Sequence, residues 1–562
     1  MPAYKTPDVY VEEIPTLPPS VAEVSTAIPA FLGYTEIGPV ADNNNKVQPV
    51  VRRISSLLEF EEAFGGPARG AAFKLTTEVV DAAKGLLGIA TVERTVSGPD
   101  FSLYYAVSLY FKNGGGACYI VSVGNYKVGV TARGHFEAGL AALKKEDEPT
   151  LIVLADAAGT LSSADDYYDL CGQALAQCKE LGDRFTLLDV VGGDVARLRN
   201  KVSDNLAYGA AYHPYLQTTL AYAYDEQKVT VTTPPSDNAR SWTTTIGTDL
   251  KVTFTGTGAA APKVISRAGG KAADVAFTVA AGPALTIDNV QGAKVSDVVS
   301  AWTEWKKTNN SNGFDLATVS SGQAAVPATA DAGQVLVDAS VGTSKTLAQL
   351  RSENTSLYNQ ARAELASQQV VLPPSAAVAG IYARVDRERG VWKAPANVGV
   401  AGIIGPVTKI SAAEQEDLNV DVNGGKSVNA IRAFAGKGTL VWGSRTLAGN
   451  DNEWRYVPVR RLFIMIEESA RKASAFAVFE PNDATTWLKV KAMIESFLFG
   501  LWERGAFAGS KPEDAYFVHV GLGTTMTSQD VLEGRMIVQI GVAAVRPAEF
   551  IILRFMHKLQ QA

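Results

Sequence analysis

Apolar residues form three short, nearly continuous runs between residues 100 and 210. These runs cover residues 118–123, 150–154 and 184–189, and a helical pattern over residues 165–181 lies between the last two. Short apolar runs separated by helices are typical of parallel strands in a sheet that is buried on both faces. The pattern therefore predicts an open α/β domain whose sheet is covered by helices on both sides.

A change in composition after Ala221 marks a different kind of structure. Thr, Gly, Ala and Val dominate there, and residues 228–232 and 251–255 alternate between apolar and polar side chains. Such alternation between turn-forming residues indicates short β-strands. We expect a separate, solvent-facing β-rich domain with one helix over residues 295–307, and a further helix over residues 346–367 that leads out of it.

The last third of the chain carries the clearest helical pattern. Residues 481–483 read Pro-Asn-Asp, which favours a helix start, and Gly505 is placed to end a helix. Apolar side chains recur between them at spacings of three and four, which predicts an amphipathic helix over residues 482–505. Its polar side carries Lys489, Lys491 and Glu495. Two strand-like runs follow, at residues 535–543 and 549–555.

The first twenty residues do not resemble part of a domain. Five prolines exclude a helix there, whereas residues 8–14 alternate and predict a single strand. A lone strand cannot satisfy its own backbone hydrogen-bonding groups. It has to join a sheet of its own domain or a sheet of another chain. The pattern alone leaves both alternatives open.

Composition narrows the class of protein. A chain of 562 residues is long enough for three or four domains. The formal net charge of −6 offers no basic surface for nucleic acid. The most apolar stretch, residues 398–407, is about half of the roughly 20 residues that span a bilayer. Three cysteines and an N-terminus without an apolar leader predict reduced thiols and no signal peptide.

Motifs for catalysis, cofactors or metals are nearly absent. The stretch 419–430 fits neither a phosphate-binding loop nor a calcium loop, because Val420 and Ala430 stand where glycine and glutamate are required. Asp156 and Asp189 each directly follow an apolar strand, where open sheets gather ligands. They belong either to a catalytic site or, as is common for Asp, to the start of a following helix. We expect no cofactor and no metal site.

Distinctive runs of sequence occur near the start of the chain and throughout its last third. They are residues 6–14 (TPDVYVEEI), 28–34 (IPAFLGY), 379–397 (AGIYARVDRERGVWKAPAN), 429–434 (NAIRAF), 438–443 (GTLVWG), 454–464 (WRYVPVRRLFI), 478–482 (VFEPN), 525–527 (TMT), 534–535 (GR) and 547–550 (PAEF). Together they resemble the contractile tail sheath family of phages and related injection systems. Residues 222–345 show no such resemblance.

The resemblance implies an α/β and α+β multidomain protein. It would contain an open α/β sheet domain, a β-rich inserted domain, and a C-terminal α+β sheath domain with extended N- and C-terminal arm strands. The expected boundaries are 1–25 for the N-terminal arm, 26–100 for the N-terminal part of the sheath core, 101–221 for the α/β domain, 222–345 for the inserted outer domain, 346–534 for the C-terminal sheath domain, and 535–562 for the C-terminal strands and arm.

The resemblance also implies a structural subunit and not an enzyme. Such subunits form hexameric rings that stack around an inner tube, and their contraction drives the tube through a target envelope. The expected partners are further copies of the chain, an inner tube protein, and baseplate and terminator or cap proteins, with no nucleic acid and no direct membrane insertion. Assembly would take place in the bacterial cytoplasm, and the chain would then belong to a phage virion or an injection particle.

Both arms of family members add a strand to a sheet in a neighbouring subunit. The corresponding residues here are Val9, Tyr10, Val11 and Ile14 in the N-terminal arm, and Phe550, Ile552 and Phe555 in the C-terminal arm. The family contacts its tube through the C-terminal domain, largely by charge, so Lys489, Lys491 and Glu495 are candidates for tube contact. An ordinary solvated helix face is the alternative for them. Two other functions stay open: cell-surface binding by the inserted domain, and an α/β enzyme that uses Asp156 and Asp189.

Overall fold

The structure, a computed structural model, describes residues 21–81, 86–95, 100–127, 131–233, 240–256, 261–271, 274–280, 283–329, 333–338 and 343–553. The strands of this part are β1 Pro29–Thr35, β2 Val50–Ile54, β3 Ala71–Asp81, β4 Leu86–Thr95, β5 Cys118–Asn125, β6 Leu151–Val153, β7 Phe185–Asp189, β8 Gly209–His213, β9 Leu216–Ala221, β10 Tyr224–Thr233, β11 Arg240–Ile246, β12 Leu250–Gly256, β13 Lys263–Ser266, β14 Ala276–Val279, β15 Ala284–Asp288, β16 Phe314–Thr318, β17 Gln334–Val335, β18 Val337–Asp338, β19 Thr343–Thr346, β20 Gln369–Leu372, β21 Val398–Gly399, β22 Ile403–Pro406, β23 Val428–Phe434, β24 Gly438–Val441, β25 Tyr516–Val520 and β26 Val538–Val542. The helices are α1 Leu57–Phe64, α2 Leu103–Lys112, α3 Arg133–Leu143, α4 Ala155–Thr160, α5 Ala164–Leu181, α6 Val195–Lys201, α7 Val295–Trp305, α8 Leu347–Glu353, α9 Thr355–Ser367, α10 Ser375–Arg389, α11 Ala412–Asn419, α12 Val457–Ala473, α13 Ala484–Glu503, α14 Pro512–Ala515 and α15 Ser528–Leu532.

The chain divides into two compact units. Within the described residues, unit 1 contains 21–71, 100–223 and 366–553, and unit 2 contains 72–95 and 224–365. These limits differ from the predicted boundaries, because 72–95 and 346–365 both belong to unit 2. The hairpin β3–β4 completes a four-stranded sheet with β10 and β19. Such long-range pairing leaves no local signal in the sequence.

Unit 1 is built around a nine-stranded sheet of order β2-β5-β1-β6-β7-β8-β23-β24-β21. The strands from β5 to β23 run parallel, and β2, β24 and β21 are antiparallel to their neighbours. The predicted strands at 118–123, 150–154 and 184–189 are confirmed as β5, β6 and β7. All seven residues of β1 are buried, as expected for a central parallel strand.

Helices cover both faces of this sheet, as predicted. Side chains of α2 and α10 pack with Phe31 of β1 on one face, whereas α3 and α5 pack with Leu32 on the other. Neighbouring residues of β1 therefore serve opposite layers, because successive side chains of a strand point to opposite faces. The predicted helix over 165–181 is α5, which begins after the cap Ser163 and ends at Gly182.

The C-terminal part of unit 1 has its own apolar core. This core joins α12 and α13 to a two-stranded antiparallel sheet of β25 and β26. The predicted amphipathic helix is confirmed as α13, in which Asp483 accepts a hydrogen bond from the backbone N–H of Thr486 at 3.0 Å. Gly505, with φ +84°, follows its end.

Unit 2 is rich in strands, as its composition predicts. Besides the sheet β19-β10-β3-β4, it contains two four-stranded sheets, of order β16-β12-β11-β18 and β14-β15-β13-β17. The helix α7 packs Trp302 into the core that these two sheets share. The predicted single helix over 346–367 is wrong: Asn354 separates α8 from α9, because its side chain accepts a hydrogen bond from the backbone N–H of Leu357 at 3.0 Å and so starts a new helix.

The two predicted arm strands have different outcomes. The N-terminal strand at 8–14, with Val9, Tyr10, Val11 and Ile14, lies outside the described residues. Within the C-terminal run 549–555, residues 549–553 belong to no strand of the single chain, and Phe555 lies outside the described part. A strand exists only where a partner satisfies its backbone groups, and this segment has no such partner among the described residues.

Candidate functional site

Asp156 lies in α4, directly after β6, and is fully buried. One of its carboxylate oxygens accepts hydrogen bonds from the backbone N–H groups of Ser102 and Leu103 at 2.6 and 3.0 Å. The other oxygen accepts from the backbone N–H of Tyr34 in β1 at 2.8 Å. Burial raises the pKa of Asp156 to about 6, although these hydrogen bonds favour the charged form. Asp156 therefore ties the start of α2 to the central strand.

Asp189 has the matching role for α10. It is the last residue of β7, is fully buried, and accepts hydrogen bonds from the backbone N–H and the hydroxyl of Ser375 at 2.8 and 2.6 Å. Burial raises the pKa of Asp189 to about 7. The first α-helix after β7 is α6, which is capped by Asp194. Asp189 instead holds the start of α10, which lies 186 residues further along the chain.

Both aspartates are thus buried and hold the starts of helices, α2 for Asp156 and α10 for Asp189. Among the described residues, no group of three or more His, Cys, Asp and Glu side chains is placed to hold a metal ion. Over the same residues, every helix is too short or too polar to cross a bilayer. Other distinctive features lie near the first and the last of the described residues.

The C-terminal segment is anchored at Glu549. Its carboxylate accepts hydrogen bonds from Nε and Nη2 of Arg445, the latter at 2.7 Å, and from the side-chain amide of Asn419 at 2.9 Å. The hydroxyl of Tyr456 adds a further bond at 3.2 Å. Burial alone would raise the pKa of Glu549, but the bonds from Arg445 and Asn419 outweigh it and hold the pKa below its ordinary value. Glu549 is therefore a charged, fully engaged anchor.

Directly after this anchor the chain becomes apolar and exposed. The side chains of Phe550, Ile551, Ile552 and Leu553 are 69, 80, 77 and 72% exposed. Four consecutive large apolar residues in water are unfavourable, since burying each would contribute about 1.5–3 kcal/mol. Exposed apolar runs of this kind are typical of interaction surfaces.

Among the described residues, the sheet of β25 and β26 consists of two strands, and a single bridge between Phe507 and Ala544 lies just beyond the end of β26. Val518 of β25 is buried against the core of α13, and it pairs with Ile540 of β26. Within the described part of the chain, no third strand joins this sheet. An isolated pair of strands leaves rows of backbone N–H and C=O groups free to receive further strands.

Residues 24–26 are also anchored, by side chains of α10 and α12. The buried Arg461 of α12 forms a two-point ion pair with Asp386 at 3.0 and 2.5 Å, and it also donates to the carbonyl oxygen of Thr26 at 2.7 Å. The hydroxyl of Thr26 donates to Asp386 at 2.6 Å, and the backbone N–H of Val24 donates to the hydroxyl of Ser469 at 3.2 Å. Residues 24–26, where the expected N-terminal arm meets the core, are thus fixed to α10 and α12.

The candidate tube-facing side chains lie on α13. Lys489 is exposed, whereas Lys491 and Glu495 are half-buried and form an ion pair at 3.6 Å, one helical turn apart. Leu488 beside them is 66% exposed. Among the described residues, Lys491 thus has an ion-pair partner, whereas none is found for Lys489.

Sequence reasoning missed the arginines that hold the two segments. Arg461 directly precedes the apolar run 462–466 in α12, and Arg445 follows the apolar strand β24. A charged residue within an apolar pattern indicates a buried ion pair, so this signal was available. Its partners were not, because Asp386 and Glu549 lie 75 and 104 residues away.

Two family models match the chain. The model for the phage tail sheath protein central domain matches residues 270–447, and that for the phage tail sheath C-terminal domain matches residues 449–557. Together they cover just over half of the chain.

Curated tail sheath proteins match about a quarter of the chain. The tail sheath protein of Vibrio phage KVP40 is 26% identical over 134 residues, which are 24% of this chain and 20% of that protein. The tail sheath protein of Enterobacteria phage T4 is 27% identical over 129 residues, 23% of this chain and 19% of that protein. The alignments thus span about a fifth of the length of these relatives.

Solved structures match over the whole chain. A chain from the helical sheath of the anti-feeding prophage in its contracted state is 26% identical with a TM-score of 0.54, covering 99% of this chain and 100% of that one. A chain from the contracted PVC sheath complex, an extracellular contractile injection system, is 25% identical with a TM-score of 0.53, covering 99% of each chain. On these matches and on its fold, this chain belongs to the contractile tail sheath protein family.

Proposed function

We propose that this chain is the structural subunit of a contractile sheath, which assembles as stacked hexameric rings around an inner tube and contracts to drive that tube through a target envelope. The observation that carries the proposal is the pairing of an exposed apolar segment, residues 550–553, with an open two-stranded sheet on the same chain. Each copy then has a strand to give and a sheet that can receive strands, which is what an open-ended polymer requires.

Strand exchange suits a machine that changes shape. Backbone hydrogen bonds between a donated strand and a receiving sheet give affinity without fixing the angle between whole subunits. The N-terminal arm would act in the same way, because Val9, Val11 and Ile14 supply apolar contacts and the prolines around them favour an extended chain. Its root at Thr26 stays attached to its own subunit through Arg461.

Contraction requires two packings of the same subunits, the second of which is lower in free energy. A small gain per subunit suffices, because it is multiplied over the many copies of a long sheath. The contact with the tube has to break during this change, and screened surface charges separate at little cost. Lys489 and Lys491 of α13 are the candidates for this contact, with Lys489 the more available of the two.

The proposed partners are further copies of the chain, the inner tube protein, and baseplate and terminator or cap proteins. We place assembly in the bacterial cytoplasm, followed by service in a phage virion or an injection particle. No nucleic acid is required by this scheme, and no membrane insertion of the sheath itself.

The proposal is tested by assembly of the purified chain under negative-stain microscopy. We expect hollow helical tubes or stacked rings, and we expect Ile552→Lys to reduce their total length at least tenfold, because the donated side chain would carry its charge into a neighbouring sheet. Val422→Lys is the matched control, since Val422 is 89% exposed but lies outside both arms. A monodisperse monomer at high concentration, or wild-type tubes from Ile552→Lys, would contradict the proposal.

A further inference from the structure

Besides its contacts with Glu549, Arg445 forms hydrogen bonds through its backbone N–H, its backbone carbonyl oxygen and its guanidinium group. Its backbone N–H donates to the side-chain oxygen of Asn429 at 2.8 Å, and the amide of Asn429 donates back to the carbonyl oxygen of Arg445 at 2.8 Å. Asn429 also donates to the carbonyl oxygen of Ala211 in β8, at 3.2 Å. The guanidinium donates from Nη1 to the carbonyl oxygen of Asn419 at 3.1 Å. Through Asn429 of β23, Arg445 is thus fixed to the nine-stranded sheet.

Among the described residues of the C-terminal segment, Glu549 is the last that such contacts hold. The bidentate pair with Arg445 fixes both the position and the direction of the carboxylate, which a single contact does not. The side chain of Arg445 is 6% exposed and that of Glu549 is 21% exposed, so the arginine side of the pair is shielded from water. One residue further on, the side chains turn to solvent. The chain therefore changes from an anchored residue, Glu549, to exposed side chains within one step, at Phe550.

We propose that Glu549 and Arg445 form a latch that sets the point and direction in which the C-terminal strand leaves its own subunit for a second copy of this chain. The inference rests on the proposed strand exchange and deepens it. Glu549 is a positioning residue: it does not enter the neighbouring sheet but presents the residues that do. Latched to the central sheet, the donated strand moves with its own subunit when the subunits reorient.

A purely internal role is the competing explanation, in which the pair only holds residues 543–549 against their own fold. The two explanations differ in what they predict for assembly. A latch reduces the range of directions that the donated strand samples, so its loss raises the concentration needed for polymerisation. A purely internal contact would disturb the fold of the free subunit and leave strand donation unchanged in a subunit that still folds.

The test measures the critical concentration for assembly by sedimentation, together with hydrogen exchange of β25 and β26 in unassembled subunits. Glu549→Gln keeps the acceptor for Asn419 but removes the charge, and we expect its critical concentration to rise at least tenfold with unchanged exchange in the sheet. Arg445→Lys keeps a positive charge but not the two-point contact, and we expect a rise of several-fold. Glu468→Gln is the matched control, because Glu468 is also buried and paired with an arginine but lies on α12; it should assemble as wild type does.

The outcomes separate this inference from the function it rests on. Critical concentrations within twofold of wild type for both Glu549→Gln and Arg445→Lys would overturn the latch, as would a rise accompanied by loss of protection in the free subunit. If Glu549→Gln does not fold, Arg445→Lys alone decides by the same criterion. A chain that lacks residues 550–562 but assembles as wild type does would instead overturn strand exchange itself.

Discussion

Replacing Asp189 by alanine should destabilise unit 1 severely, because its carboxylate holds the start of α10. The substitution leaves the backbone N–H of Ser375 without an acceptor in a fully buried position, where Asp189 now accepts at 2.8 Å. An unsatisfied buried donor costs about 1–3 kcal/mol. The hydroxyl of Ser375 loses its acceptor as well, and a small cavity adds roughly 1 kcal/mol. Removing a carboxylate whose burial is itself unfavourable offsets part of this, so we expect a net loss of about 2–4 kcal/mol.

Asp194→Ala provides the matched control. Asp194 caps α6 by accepting a hydrogen bond from the backbone N–H of Arg197 at 2.9 Å, but it is exposed. Water can replace the lost acceptor there, so the expected loss is about 1 kcal/mol.

Hydrogen exchange of the α10 amides is the suitable assay, because a chain of two units need not unfold in a single transition. The exchange rates give the opening free energy of α10 directly, and the same experiment on α6 reads the control. Equal losses for Asp189→Ala and Asp194→Ala would refute the reasoning that burial of the acceptor sets the magnitude. Retention of wild-type α10 protection in Asp189→Ala would refute the structural role itself.

Four further predictions concern pH, the N-terminal root, the tube and unit 2. Because burial raises the pKa of Asp189 to about 7, the native state binds more protons than the unfolded state from about pH 4 to 7, so the free energy of unfolding falls as the pH rises through this window. Urea titrations of Asp189→Asn should show a slope less negative by up to about 1.4 kcal/mol per pH unit, and an unchanged slope would exclude this titration. Arg461→Met should cost about 3 kcal/mol and speed hydrogen exchange in the N-terminal root, since it leaves a buried charge unpaired; unaltered exchange would contradict the anchor. Reversing Lys489 and Lys491 to Glu should weaken cosedimentation with tube protein most at low salt, whereas an effect independent of salt would argue against a contact by charge. Replacing residues 240–338 by a short Gly-Ser linker should leave tubes intact in electron micrographs, because β11 and β18 are paired neighbours whose ends a linker can join; loss of all tubes would show that unit 2 takes part in assembly.

The local pattern of the sequence was sufficient for much of the secondary structure. The apolar runs that became β5, β6 and β7, and the helices α5 and α13, follow directly from periodicity and from end-capping residues. Periodicity gave a wrong prediction at Asn354. Its side chain starts a second helix inside an otherwise continuous helical pattern.

Long-range arrangement was beyond what the pattern can specify. The central position of β1 and the pairing of β8 with β23 join segments far apart in the chain, and no local signal records such pairing. Asp156 and Asp189 illustrate the same limit at the level of single residues. Their place after strands was predictable, but the helices that they hold start at distant points of the chain.

The C-terminal arm could be predicted only in part from the sequence. The apolar character of residues 549–555 was evident from the sequence, yet residues 549–553 form no strand within one subunit. A strand that forms only on a neighbour has no partner to pair with in an isolated chain. The anchor at Glu549 depends on a pairing across 104 residues and required the structure to be found.

The central claim is that copies of this chain join by exchanging strands at the sheet of β25 and β26. A cryo-electron microscopy map of the assembled sheath tests it most directly, because the strands of that sheet can be counted and traced to their subunits. The account predicts four strands, with one added by the N-terminal arm and one by the C-terminal arm of neighbouring copies. A sheath in which β25 and β26 remain a two-stranded sheet, with both arms folded on their own subunit, would contradict it.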